Sequence, residues 1–309
     1  MLTHFGIESV LAEWPEAVVC VGTFDGVHLG HRHVISRAVH VGRQTDRPSI
    51  VVTFDRHPAS ILAPERVPPA IATLGEDLRQ FEALGVSAAA VLRFDEALAA
   101  TSAEDFLQNI LQQGLHASSL VVGHDFALGH DRVGTPEWLA ERIPTEIVPP
   151  YLLDGQRVAS SEIRRLVAAG EVEAASRLLG RPFAIEGVVV GGQKLGRTLG
   201  FPTLNLARSG GQVRPADGVY AGRCETSLGR FAAAVGVGVR PTIGSGKRTI
   251  EAYLLDFPGD SLYGQAVRLE VLQRLRGEIR FDSLDDLRQQ MAADVDRVRL
   301  GAGTANPPR

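Results

Sequence analysis

Gly22-Thr23-Phe24-Asp25-Gly26-Val27-His28-Leu29-Gly30-His31 is the stretch on which the reading of this chain turns. The apolar run Ala17-Val18-Val19-Cys20-Val21 leads into it, and a mixed apolar and basic run, Arg32 to Arg43, leads out. Locally that is a buried strand, a glycine-rich turn and then a helix. Such a turn gathers backbone N–H groups and the positive end of a helix dipole at one point, which suits an anion, above all phosphate. Gly26 and Gly30 let the backbone come close to a ligand. His28 and His31 can donate hydrogen bonds to phosphoryl oxygens.

Outward from this turn the first half of the chain alternates. Strand-like runs fall at 18–21, 50–54, 88–92, 119–122 and 146–148, and helix-like runs at 33–41, 76–84 and 103–113. The last of these has Thr101 or Ser102 as N-cap and Glu104 and Asp105 in its first turn. Strands alternating with helices predict an α/β domain built on an open, mainly parallel sheet covered on both faces. Ligands of such sheets bind beyond the carboxyl ends of the strands, where the strand order reverses, which is where a turn following the first strand of the alternation would lie.

After Pro149-Pro150 the pattern changes. Residues 151–159 read as a hairpin turning at Asp154-Gly155, followed by two short helices at 160–169 and 172–179. Arg181-Pro182 marks the expected boundary, giving domains 1–182 and 183–309. The second half reads as β, with apolar runs at 185–190, 219–226, 231–237, 249–257 and 266–275. Closely spaced strands of this kind predict a small antiparallel barrel or sandwich. One amphipathic helix, 284–300, capped by Asp282 or Ser283, closes it, and 301–309 has little to bury.

The 309 residues suffice for two cores, and 44% hydrophobic content with a mean hydropathy of +0.03 is ordinary for a globular protein. A formal net charge of -4 and the absence of a dense basic block argue against nucleic acid as a partner. Cys20 and Cys224 lie in apolar runs and read as reduced, buried thiols. Neither a secretory leader nor a membrane-spanning run is apparent, so the expectation is a cytoplasmic enzyme or binding protein with no membrane partner. Oligomeric state is not legible, and a homo-oligomer stays open.

The His-x-Gly-His element and its flanks resemble the signature of class I nucleotidyltransferases, in the form found in the prokaryotic bifunctional riboflavin kinase/FAD synthetase (FMN adenylyltransferase) family. Three further segments agree in order: Thr53-Phe54-Asp55-Arg56-His57-Pro58, Val122-Gly123-His124-Asp125-Phe126-Ala127-Leu128-Gly129, and Ala159-Ser160-Ser161-Glu162-Ile163-Arg164. The resemblance implies a Rossmann-like nucleotidyltransferase domain that transfers AMP from ATP to FMN. Gly22, Phe24, Asp25, Gly26 and Gly30 would then shape the ATP loop, with His28 and His31 stabilising the phosphates. Ser160, Ser161 and Arg164 would hold those phosphates from the opposite side, although Ser160 also reads as a plain N-cap. Asp125 and Phe126 would lie near the flavin, or else be a turn carboxylate and a core aromatic. His57 is either a turn residue or a substrate contact.

Residues 191–205, Gly-Gly-Gln-Lys-Leu-Gly-Arg-Thr-Leu-Gly-Phe-Pro-Thr-Leu-Asn, lack the Gly-Lys-Ser/Thr ending of a P-loop. They resemble the flavokinase segment that runs into Pro-Thr-Ala-Asn. By that resemblance Gly191, Lys194, Gly196 and Arg197 would contact ATP, and Thr203 and Asn205 would ligate Mg²⁺, for which hydroxyl and amide oxygens are suitable. Glu251 matches the family's catalytic glutamate, and Arg276 would approach the flavin. Several positions depart from the family: in the first half Ala159 replaces a serine, Ser161 a threonine and Leu128 a common Phe, and two departures fall in the second half. Leu204 stands where Ala is usual, between the two metal ligands, and Gly236 stands where Asn is common. Those departures leave two alternatives to a riboflavin-to-FAD enzyme: one live domain or a modified flavin, and a regulator that binds without turnover.

Overall fold

A computed structural model describes residues 1–7, 14–192, 200–208, 211–239, 248–259 and 261–302. They form two compact units, Met1–Ser160 and Ser161–Arg309.

The first unit is built on six parallel strands: β1 (Leu2–Phe5), β2 (Ala17–Val21), β3 (Ser49–Phe54), β4 (Ala88–Leu92), β5 (Ala117–Gly123) and β6 (Thr145–Val148). Their spatial order is β1-β4-β3-β2-β5-β6. The chain therefore steps outward from β2 through β3 to β4, then crosses back to place β5 on the other side of β2. That reversal is the switch point at which open sheets bind ligands. Alternation along β2 explains why the whole strand is apolar. Ala17, Val19 and Val21 pack with Phe106, Leu107 and Leu111 on one side, while Val18 and Cys20 pack with Ile35, Val39 and Phe81 on the other. The helices Leu29–Thr45 and Leu74–Ala83 thus cover one face, and the helical stretch 103–114 covers the other.

Two features of this unit were not legible beforehand. Strand β1 is a short, mostly exposed edge, so it carries no apolar pattern. The helix read at 103–113 begins as an α-turn, Ala103–Asp105, and continues from Phe106 to Gly114 in wider i→i+5 turns. Its cap is Ser102, whose hydroxyl accepts from Asp105 N at 3.0 Å. The short hairpin β7 (Leu152–Leu153) and β8 (Gln156–Arg157) turns at Asp154 and Gly155, both at positive φ, as a two-residue hairpin turn requires.

The second unit is a closed antiparallel barrel in the order β10-β13-β12-β11-β14-β9, made of β9 (Phe183–Val190), β10 (Thr203–Arg208), β11 (Gly218–Thr226), β12 (Gly229–Val239), β13 (Arg248–Leu254) and β14 (Ala266–Arg276). Fully buried Phe183, Ile185, Tyr220, Cys224, Val235, Ala252 and Leu269 belong to its strands. Strand β10 was hidden by the glycine-rich run before it. The helices Ser160–Ala169 and Val172–Leu179 fall where the sequence placed them, and the second packs against β9 and β14. The C-terminal helix, Leu284–Ala302, is capped by Ser283, whose hydroxyl accepts from Asp286 N at 3.1 Å. Val295 and Val298 seat it against Ala221, Ala232, Ala234 and Tyr253 of the barrel wall.

Candidate functional site

The 22–31 turn leaves the carboxyl end of β2 with an unusual backbone. Phe24, Gly26 and Val27 all have positive φ (48°, 76° and 37°). For a β-branched residue such as Val27 that conformation is costly, and it persists only where the surroundings over-determine it. Here they do. The Asp25 carboxylate accepts from Ile71 N at 2.8 and 3.0 Å and from Ala72 N at 3.2 Å, and Asp77 Oδ1 accepts from Gly26 N at 3.0 Å. A Cβ on Gly26 would stand 2.6 Å from Ile71 Cγ2, so only glycine lets this segment close over the turn. The Phe24 ring lies inward, edge-on to both His31 and Phe81.

The turn delivers His28 to the N-cap of the helix Leu29–Thr45. His28 Nδ1 accepts from His31 N at 3.2 Å, and Nε2 lies 3.2 Å from Ser160 Oγ. A backbone N–H can only donate, so Nδ1 carries the lone pair and the ring's proton sits on Nε2, directed at the Ser160 hydroxyl. The His31 ring stacks on that of His28 with centroids 3.6 Å apart at 21°. Two imidazoles and a serine hydroxyl therefore converge at a helix N-terminus beyond β2, an arrangement suited to phosphoryl oxygens. Ser161 and Arg164 follow Ser160 on the helix Ser160–Ala169.

The segments after β3 and β5 emerge at the same end of the sheet. His57 Nδ1 accepts from Ala59 N at 3.1 Å, so this ring caps a turn. Nearby, burial raises the Asp55 carboxyl, but the Arg56 hydrogen bond and charge and the Phe94 N–H outweigh it and hold the group below its usual range. After β5, Asp125 pairs with Arg157 of the hairpin, and Arg132 Nη2 donates to its backbone oxygen at 3.2 Å. Burial pulls the Asp125 carboxyl upward; Arg157, with His124 nearby, prevails and leaves it below the ordinary carboxylate value. Phe126 is partly buried and packs against the sheet core.

In the barrel, a cavity of about 620 Å³ opens on the outer wall, within the range of small-molecule sites. Thr203, Gly236, Thr249, Glu251, Tyr253 and Arg276 line it on the strands, and Phe281, Met291 and Asp294 on the segment and helix that follow. Period-two alternation sends Ile250, Ala252 and Leu254 into the core and leaves Thr249, Glu251 and Tyr253 on this outer face. Register brings the chemistry together. Asn205 lies directly across from Glu251 on β10, and Gly236 directly across on β12. Thr203 Oγ1 donates to Glu251 Oε2 at 3.1 Å, and Thr249 Oγ1 to Oε1 at 3.3 Å. A Cβ on Gly192 would stand 2.2 Å from Asn205 Nδ2, so the glycine there lets the backbone lie flush on that amide.

Register also settles where Leu204 points. It pairs with core-facing Ala252, on the face opposite Thr203 and Asn205, so its bulk does not crowd them. Among the described residues a Cβ on Gly236 would meet nothing within 4 Å, so the missing side chain leaves space beside Glu251. Arg276 does line the cavity, but its guanidinium is bound to Asp294 of the C-terminal helix, with contacts of 2.7 to 3.2 Å. Gly191 is described, and a Cβ there would meet nothing within 4 Å among the described residues, whereas Lys194, Gly196 and Arg197 fall outside them. Thr249 could have been found by alternation from Glu251. Asp294 and Arg157 are distant in sequence from their partners and gave no local signal.

Family models agree with both halves: one described as FAD synthetase matches residues 10–162, and one described as riboflavin kinase matches 179–300. The bifunctional riboflavin kinase/FMN adenylyltransferase of Pseudomonas fluorescens is 37% identical over 308 residues, covering 97% of this chain and 98% of its own. Its counterpart in Bacillus subtilis is 33% identical, covering 91% of each. A crystal structure of a macrolide-efflux protein from Streptococcus pneumoniae superposes with a TM-score of 0.86 at 31% identity, covering 97% of this chain and 99% of that one. Among the described residues no helix is long and apolar enough to cross a membrane. With such identities sustained along nearly the whole of both chains, this protein belongs to the bifunctional riboflavin kinase/FMN adenylyltransferase family.

Proposed function

We propose that the barrel phosphorylates riboflavin to FMN and that the N-terminal sheet adenylylates FMN to FAD, with functional domains 1–182 and 183–309. The observation that carries this reading is that each compact unit holds its own constellation: His28, His31 and Ser160 beyond β2 in one, and Glu251 against Thr203 and Asn205 in the other.

In the kinase step Glu251 accepts the proton of the terminal ribityl hydroxyl as that oxygen attacks the γ-phosphate of ATP, and ADP leaves. Thr203 and Asn205 share one face of β10 and offer a hydroxyl and an amide oxygen, hard donors that fit Mg²⁺. A sparse protein donor set suits this ion, and held by Thr203 and Asn205 it would supply charge neutralisation to the phosphates of ATP. Gly191, Lys194, Gly196 and Arg197 are assigned to ATP and Arg276 to the flavin side of the cavity.

In the adenylyl step the FMN phosphate attacks the α-phosphate of ATP and pyrophosphate departs. No protein nucleophile is needed, because the second substrate is itself a phosphate. His28 and His31 stabilise the charge that develops, and Ser160, Ser161 and Arg164 add donors to the same phosphates. Gly22, Phe24, Asp25, Gly26 and Gly30 hold the loop's shape. His57, Asp125 and Phe126 are assigned to the flavin, and the reaction belongs to the cytoplasm, where ATP is available.

The test is to incubate the protein with riboflavin, ATP and Mg²⁺ and resolve FMN from FAD. Both products appearing in sequence is the expected result. FMN that never becomes FAD, or a requirement for supplied FMN, rejects the two-activity reading. Binding of ATP and flavin without any product would make the chain a regulator.

A further inference from the structure

Arg276, at the end of β14, and Asp294, on the C-terminal helix, both line the barrel cavity. The guanidinium engages the buried Asp294 carboxylate by one edge. Nε donates to Oδ1 and Oδ2 at 3.2 and 3.0 Å, and Nη2 donates to Oδ2 at 2.7 Å. Nη1 donates to Gly277 O at 3.1 Å. Gln290, one helical turn before Asp294, steadies the carboxylate through Nε2, which donates to Oδ1 at 3.0 Å. The Phe281 ring, 5.9 Å from the guanidinium carbon, stands at the outer limit of a cation–π contact. A guanidinium carries five N–H groups in one rigid plane, so among the described residues one N–H on each of Nη1 and Nη2 is left for a ligand.

Register sets the distance to the reacting end. Arg276 pairs with Val219, Val219 with Gly236, and Gly236 with Glu251, so one row crosses the barrel wall. Three strand spacings separate Arg276 from Glu251 by about 14 Å along that wall. The span is comparable with the length of riboflavin from its terminal hydroxyl to its ring carbonyls. We infer that Asp294 is a positioning residue for the acceptor of the kinase reaction: by holding one edge of Arg276 it turns the remaining N–H pair to the carbonyl-bearing ring of the flavin. The carboxylate also neutralises the guanidinium, which fits it to an uncharged ring rather than to a phosphate. The helix has other holds, because Val295 and Val298 pack on the wall and Arg297 Nη1 donates to Leu275 O at 3.1 Å. The inference rests on the reading that brings the flavin to Arg276.

Four variants of the full chain test it: Asp294→Asn, Arg276→Lys, Arg276→Met, and Asp294→Asn combined with Arg276→Met. Asp294→Asn keeps the size of the side chain and loses its charge, while Arg276→Lys keeps the charge and loses the planar fork. Steady-state phosphorylation of riboflavin is measured on each. Lumichrome, the same ring system without a ribityl chain, is added as a competitive inhibitor of that reaction, so its Ki reads ring binding in the barrel alone. The expected result for Asp294→Asn is a rise of about tenfold in both the KM for riboflavin and the Ki for lumichrome, the scale of one hydrogen bond to a charged group. The kcat and the KM for ATP should stay at wild-type values. Arg276→Lys should behave in the same way, and Asp294→Asn should add nothing once Arg276 is Met.

Wild-type KM and Ki in a folded Asp294→Asn variant overturn the positioning role. A lower kcat with both constants unchanged overturns it too, since the barrel is then disturbed without any effect on the ring. A raised KM for riboflavin with an unchanged Ki for lumichrome moves the effect to the ribityl chain and removes the carbonyl contact. A further loss in the double variant shows that Asp294 does not act through Arg276. If Asp294→Asn does not fold, Arg276→Lys carries the test, and wild-type constants there reject the inference. A wild-type chain that leaves riboflavin unphosphorylated overturns the kinase reading itself, and the Asp294 role falls with it.

Discussion

His28 caps the helix that carries its own stacking partner: its Nδ1 accepts the backbone N–H of His31 while the two rings lie 3.6 Å apart. One side chain therefore terminates a helix and presents Nε2 to the Ser160 hydroxyl. The cap and the proposed phosphate contact fall on opposite nitrogens of the same ring, so they can be separated by substitution.

His28→Ala removes both. Loss of the cap should cost about 1 kcal/mol of stability, seen as a lower melting temperature. FAD formation from supplied FMN should fall by about a hundredfold or more, the scale of one lost charge-stabilising donor. FMN formation should continue. His28→Asn restores a short acceptor for the His31 N–H but cannot reproduce Nε2. It should recover the stability without the adenylyl activity, and recovery of both would show that Nε2 does no chemistry.

Glu251→Gln makes the complementary cut. The amide keeps the size of the side chain but cannot accept a proton, so riboflavin phosphorylation should fall by about 10²–10⁴-fold. FAD synthesis from supplied FMN should persist. An equal loss of both reactions in a folded protein would break the assignment of one activity to each unit.

Much of this was readable in advance, for definite reasons. Strand β2 is fully buried on both faces, so its five residues are all apolar, and the strand–turn–helix signal at 17–45 was strong. The placement of Glu251 on one face with Tyr253 followed from period-two alternation alone. Three examples show why other features could not be read. The edge strand β1 buries too little to leave a pattern. The strained φ at Val27 comes from contacts with residues near Ile71 and Asp77, some 50 positions away in sequence. The pairing of Arg276 with Asp294 joins the end of a strand to the middle of a helix, and nothing local announces it.

That pair is largely shielded, with side-chain exposures of 15% for Arg276 and 4% for Asp294. Gln290 Nε2 also donates to Asp294, at 3.0 Å. Removing one partner strands the other charge beneath the helix. Asp294→Ala should destabilise the barrel by about 3–5 kcal/mol, measured by denaturant unfolding. A change below about 1 kcal/mol would mean that Arg276 finds solvent in the native state and that the pair does not hold the helix down.

The two thiols supply a chemical test of the barrel and sheet cores. Burial pushes the Cys20 thiol up to about 12, against a smaller opposing contribution from its own backbone. Burial also takes Cys224 to about 12, with the nearby Glu225 charge adding to it. The thiolate is the reactive form, so at pH 8 the fraction available is on the order of one in ten thousand, before any barrier to access. Native protein treated with iodoacetamide at that pH should show no alkylation at either position by mass spectrometry, and full alkylation of both in 6 M guanidinium. Because Cys20 lies on β2 and Cys224 on β11, selective labelling of one in mild denaturant would report which unit opens first. Rapid labelling of either in the native state would contradict the burial on which that core is built.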